Sequence, residues 1–177
     1  MTENKIDYDY MEIYSHSNQR QGAEYFVNFF QTIQQDTEFG KKNKGIIEIA
    51  KTPFIPKLIK REIIYQGFKR LLMPKGYDAY FIYKNQEILG HNAFQIHQNE
   101  KALKVFSVGV LPDYRRQGLA TVLQEGTIRY ARVLGLERIR IGAGGDKKMI
   151  GLCRNLEQRS EELGIEPQEN FWFKIIN

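Results

Sequence analysis

The sequence predicts an α/β fold, one mixed central sheet with helices on both faces, in the order β-α-α-β-β-β-α-β-α-β. Three observations predict it. Apolar residues recur at three- and four-residue spacing in four separated segments. Between the second and third of these the pattern changes to short aromatic and branched runs bounded by polar turns. The 177-residue length, with 42% hydrophobic and 27% charged residues, suits a single globular domain and not a disordered chain.

The elements follow in order. Tyr8–Tyr14 is short and aromatic, a first strand, and the polar Ser15–Asn18 ends it. Residues 20–35 set Ala23, Phe26, Val27, Phe30 and Ile33 on one helical stripe, whereas residues 40–53 show no readable period. Pro56 suits a helix start, and Leu58, Ile59, Ile63, Ile64, Phe68, Leu71 and Leu72 continue the stripe until Pro74 and Gly76 stop it. Residues 77–83, 88–97 and 102–111 read as an antiparallel meander. A helix follows over 118–134, then a strand over 138–142. Asp146 can cap a last helix carried by Met149, Leu152, Cys153, Leu156 and Leu163, and residues 171–176 close the chain as a strand. The first 76 residues form the less readable half and 77–177 the more regular one, within one domain.

Composition excludes several classes. Cys153 is the single cysteine and His16, His91 and His97 the only histidines, so no disulfide framework or multi-cysteine metal site is available and no metal is expected. The N-terminus is acidic and polar, unlike a signal peptide, and no run reaches the roughly 18–20 apolar residues of a membrane span. A cytoplasmic protein without a membrane partner is the expectation. The net charge of +5 is unevenly spread, with ten basic and two acidic side chains between residues 40 and 75. Such a block can draw a polyanion such as RNA or the phosphates of a cofactor. No nucleic-acid module accompanies it, which favours a solvated helix face.

The chemistry concentrates in Lys104–Thr121, KVFSVGVLPDYRRQGLAT, where a strand passes through a loop with Pro112 and two arginines into a helix. A helix start leaves about four N–H groups unpaired and bears roughly half a positive charge, and a glycine there lets an anion approach closely. Arg115 and Arg116 add fixed charge. A phosphate or pyrophosphate cradle follows. The P-loop spacing is absent, and Gly142–Asp146 lacks the dinucleotide-binding glycine spacing.

Arg115-Arg116-Gln117-Gly118-Leu119-Ala120, after a strand ending Val108-Gly109-Val110, resembles the acyl-CoA signature of the GNAT N-acetyltransferase superfamily. The resemblance covers residues 77–177, which it implies are the cofactor-binding half, with the divergent residues 1–76 as the acceptor-side half. It implies that the amides of Gln117, Gly118, Leu119, Ala120 and Thr121, beside Arg115 and Arg116, receive the pyrophosphate of acetyl-CoA. Val108, Gly109 and Val110 would pair with its pantetheine as with an added strand. It further implies a bulge near Gly109 that splays two parallel strands, and an amide near Val110 that polarises the thioester carbonyl for direct attack by a primary amine. The expected acceptor is a small-molecule or peptide amine, and a homodimer is compatible with the family.

Departures from the family pattern are equally plain. Counting back from Leu163-Gly164-Ile165 puts Ser160 where relatives often have a proton-donating tyrosine, and Cys153 where they often have asparagine. No glutamate stands around Leu103 and Lys104 to act as base. His91 is the candidate proton acceptor, through a water, and Cys153 reads as a buried hydrophobe. Two other readings stay open: a family enzyme acting on charged transfer RNA, which the basic block favours, and a non-catalytic acyl-CoA sensor, which the missing acid and base favour.

Overall fold

The computed structural model describes residues 8–13, 19–32, 44–71, 77–142 and 147–176. The elements are β1 (Tyr10–Ile13), α1 (Gln19–Gln31), α2 (Lys44–Lys51), α3 (Lys57–Leu71), β2 (Tyr77–Lys84), β3 (Glu87–His97), β4 (Ala102–Val110), α4 (Leu119–Val133), β5 (Arg138–Ile141), α5 (Lys147–Gln158), α6 (Ser160–Leu163), β6 (Ile165–Gln168) and β7 (Trp172–Ile175). They form two compact units, one of α1–α3 and one of β1 with everything from β2 onward. The expected stop at Pro74 and Gly76, the polar break at Ser15–Asn18, Ile33, Leu72 and the Asp146 cap lie outside the described residues.

In the helical unit, α1 buries Ala23, Tyr25, Phe26, Val27, Phe29 and Phe30. Tyr25 stacks on Phe29 with centroids 6.0 Å apart, as the four-residue helical repeat permits. The unreadable stretch contains α2, whose eight residues bury Ile47 and Ala50 but leave Ile46 and Ile49 partly exposed, too short a run to show a period. The stripe expected on α3 is corrected. Ile64 is buried, but Leu58, Ile59 and Ile63 are 65%, 50% and 42% exposed. The inward line runs instead through Lys60, four residues before Ile64, whose buried Nζ donates to the Ala50 carbonyl at 2.8 Å. Lys57 pairs with Glu24 at 2.5 Å and holds that carboxyl below its usual range. Of the basic block, Lys60 is thus engaged internally, whereas Lys57 stays exposed in its ion pair.

In the sheet unit the strand order is β1-β2-β3-β4-β5-β7-β6, and only β4 and β5 run parallel. The registers put Phe94, Leu103, Val105, Ile139, Ile141, Phe173 and Ile175 on one face. There they pack with Ile128 and Ala131 of α4 and Cys153 and Leu156 of α5. Such residues remove roughly 1.5–3 kcal/mol of apolar surface each from water. Leu119, Val122 and Leu123 pin the start of α4 to Ile82 and Leu89. Gly135, at φ +68°, ends α4, with Leu136 N–H returning to Ala131 O and Gly135 N–H to Arg132 O. The last helix expected through Leu163 breaks at Arg159, which binds Glu125 of α4 and Glu162. The sheet gains β6, where Pro167 is tolerated because the strand lies at the edge.

Candidate active site

Two parallel strands part company in mid-sheet. Residues Ala102–Val105 of β4 pair with Arg138–Ile141 of β5, and Gly142 N–H closes the last rung on Val105 O at 3.0 Å. β4 then runs on to Val110, and Ser107–Val110 pair with Ala93–Gly90 of β3. The β3–β4 register slips between these two stretches, leaving Phe106 as the extra residue of a bulge. A bulge was expected at Gly109, but Gly109 lies in register opposite His91. The close backbone approach belongs to its neighbour Gly90, where a Cβ would stand 2.8 Å from Gly109 O.

Beyond the fork the main chain is oriented by its bonds. Leu111 N–H donates to Leu89 O on β3 at 2.9 Å, so alternation turns the polar groups of Val110 towards the other edge. There Val110 O accepts from Arg115 Nε at 2.9 Å. A short 3₁₀ turn over Pro112–Tyr114 reverses the chain, and Gln117 Nε2 donates to Asp113 O at 3.2 Å. Arg116 at φ +62° and Gly118 at φ +80° take left-handed conformations that bring the chain into α4. Arg115, Arg116, Gln117 and Gly118 are all exposed. Thr121 N–H is spent on Gly118 O at 2.9 Å, which removes Thr121 from the expected cradle and leaves Gln117, Gly118, Leu119 and Ala120. The Leu119 side chain is buried as an anchor, so only its main chain is available.

The remaining candidates are placed less simply. His91 Nε2 lies 3.0 Å from Ser107 Oγ, on the sheet face opposite α4 and just past the fork. It is buried, and desolvation pulls its pKa down to about 3. The ring is therefore neutral at physiological pH, and the expected role as proton acceptor does not fit so weak a base. Ser160 begins α6, and no described hydrogen bond links its side chain to β4 or β5. Burial pushes the Cys153 thiol up to about 11, which makes it a packing residue. Ser107 escaped the sequence reading because alternation alone does not show where β5 ends. The turn from the even pattern of 102–105 to the glycine-bearing 107–110 was the available signal.

A strand fork followed by an arginine-flanked helix start is what the resemblance implied. The model of the acetyltransferase (GNAT) family matches residues 44–156, most of the chain. The chain belongs to that family. Solved structures share the GNAT fold at low identity. A spermidine N-acetyltransferase SpeG chimera of Vibrio cholerae and hSSAT aligns at 12% identity and TM-score 0.57, over 95% of this chain and 96% of that one. The PaiA N-acetyltransferase of Thermoplasma acidophilum, in complex with coenzyme A, aligns at 10% and 0.53 over 96% and 100%. The Vibrio cholerae spermidine N-acetyltransferase with CoA and spermine aligns at 13% and 0.52 over 93% and 91%. No protein of curated function matches the chain significantly. Within this GNAT chain, the end of β4 at Val110 and the start of α4 at Leu119 stand at the two ends of one short loop.

Proposed function

We propose that this GNAT protein transfers an acetyl group from acetyl-CoA to a primary amine within a ternary complex. The observation that carries the reading is the bonded unit of β4 and α4: a strand edge past a fork, joined through Arg115 to an exposed helix start entered by a left-handed glycine. These residues fit coenzyme A. The amides of Gln117–Ala120 suit its diphosphate, with Arg115 and Arg116 as charge partners. The main chain of Val108–Val110 suits the pantetheine arm, and a donor at Val110 suits the oxygen of an acyl group under attack.

Acetyl-CoA supplies an acyl group activated as a thioester. In the net reaction the amine nitrogen bonds to the acetyl carbon as the carbon–sulfur bond breaks. The starting ammonium gives up two protons, one to solvent and one to the departing sulfur. The protein's work is then largely positioning, which can supply ~7–11 kcal/mol of barrier lowering. Ser107, held by His91, is the hydroxyl nearest the fork and orients the incoming nitrogen; Ser160 has no comparable placement.

Calorimetry with coenzyme A and a free-thiol assay over an amine panel test the reading. Binding with turnover on at least one amine supports it. Binding without turnover on any amine supports the sensor reading, and no binding ends both.

A further inference from the structure

Resting on that reading, we propose that the acceptor is a small amine bearing an anionic group, a carboxylate or a phosphate, recognised by Arg140, Arg138 and Lys104 around Trp172. Lys104 of β4 lies directly opposite Arg140 of β5, one residue before the fork. Arg140 is in turn opposite Trp172 of β7, and Arg138 opposite Lys174. Strand alternation puts all five on the face that carries Ser107 and His91, the reverse of the α4–α5 core.

Charges of one sign facing each other across a sheet are destabilising, and this face has two such pairs, Lys104/Arg140 and Arg138/Lys174. Each lysine has a carboxylate: Glu100 at 2.8 Å from Lys104, and Glu166 at 3.7 Å from Lys174. Neither arginine has a carboxylate within 4 Å among the described residues, though Arg138 adds to Lys104 in lowering the Glu100 carboxyl and to Lys101 in lowering that of Glu137; both arginines are exposed. Both guanidiniums are instead held against indole, Arg138 at 4.9 Å and Arg140 at 5.8 Å from the Trp172 centroid, with Lys104 Nζ at 5.8 Å. Cation–π contact of this kind uses none of the guanidinium hydrogen-bond donors, which leaves them for bidentate capture of a carboxylate or phosphate.

The position sets the length of the ligand. A strand rises about 3.3 Å per residue, so a nitrogen at the fork and an anion at Arg140 or Arg138 are separated by roughly 4–10 Å. That span fits a short amino acid or amino phosphate. A polyamine, the substrate in the name of the spermidine N-acetyltransferases that share the fold, would bring cation to cation.

The test compares β-alanine, 4-aminobutyrate and phosphoethanolamine with propylamine and spermidine, by thiol release and, separately, by ligand-observed NMR on the coenzyme A complex. Anionic amines should bind and turn over best, losing affinity as salt rises. Arg140→Gln should raise KM for the best anionic amine by about tenfold while changing kcat far less, with partial rescue by Arg140→Lys. Relief of the Lys104/Arg140 repulsion should keep the Gln variant at least as heat-stable as the parent. Anionic probes that bind in an Arg140-dependent way without turnover support this inference and count against the transferase reading. Preference for spermidine or propylamine, or anion binding indifferent to Arg140 and Arg138, overturns the inference while leaving the transferase reading intact.

Discussion

Arg115 Nε donates to the carbonyl oxygen of Val110 at 2.9 Å, tying the loop before α4 back to the last residue of β4. The bond links the strand edge to the loop that leads into the helix start, the two parts that coenzyme A would meet under the proposed reading. Arg115→Ala should weaken coenzyme A binding about tenfold, the loss of one charge-assisted contact plus a looser loop. Arg115→Lys should recover part of the charge but not the strand bond. Calorimetry at two salt concentrations separates these contributions, and an affinity unchanged in the Ala variant would remove Arg115 from the site.

Gly118→Val should cost about 1–3 kcal/mol of stability, because a branched residue is forced to φ +80°, and should lower coenzyme A affinity by far more than that strain explains. The control is Gly135→Val at the other end of the same helix. Gly135 also has positive φ, +68°, with nothing within 4 Å of an added Cβ. Both variants should melt a few degrees lower, and only Gly118→Val should lose the coenzyme. Equal affinity in the two variants would mean that nothing approaches the main chain at Gly118.

The part of the chain from residue 77 onward was largely legible because its signals are local. The meander is read from alternation, and the end of α4 from one glycine. The start of the site is read from R-R-Q-G-L-A after a strand. What escaped depends on partners distant in sequence. Nothing near Phe106 tells that β5 stops opposite Val105, so the bulge was assigned to the nearest glycine, Gly109. His91 looked like an available base because a single strand does not reveal that its face is buried there. The charge cluster around Trp172 joins three strands, and no single strand's sequence shows that its arginines meet. On α3, composition hid the fact that a lysine, not Leu58 or Ile59, faces inward.

Two groups, half-buried Asp78 and buried His91, should pull the pH dependence of stability in opposite directions. The Asp78 carboxyl accepts from Ala79 N–H at 2.8 Å, yet burial raises its pKa to about 6. Its charged form is thus less favoured in the folded chain than in the unfolded one. Its contribution is greatest below about pH 4 and is lost as the pH rises through 6. His91 behaves in reverse. Its pKa falls to about 3 on burial, so its contribution is present above about 6.5 and is lost as the pH falls towards 3. Between pH 4 and 6 the two offset each other. Asp78→Asn keeps an acceptor for Ala79 and should raise the melting temperature at pH 8 more than at pH 4, exposing a steeper acid loss from His91. His91→Gln should flatten that acid loss. Parallel melting curves for parent and Asp78→Asn across this range would show that Asp78 titrates normally.

Gln124 is a fully buried polar side chain in α4. Neither its amide oxygen nor its amide nitrogen has a protein partner among the described residues. A buried polar group left unsatisfied costs about 1–3 kcal/mol, whereas methionine fills a similar volume without that penalty. Gln124→Met should therefore stabilise the protein by about 1 kcal/mol, or about 2–4 °C in melting temperature for a chain of this size. Gln124→Glu should do the opposite, because an isolated carboxylate would be buried, and acid should restore much of the loss by protonating it. Gln124→Ala separates polarity from packing, since it removes the amide but leaves a cavity. Thermal melts of the three variants should rank Met above the parent, and both Ala and Glu below it. A Met variant less stable than the parent would show that the amide is hydrogen-bonded in solution, to a water enclosed beside α4.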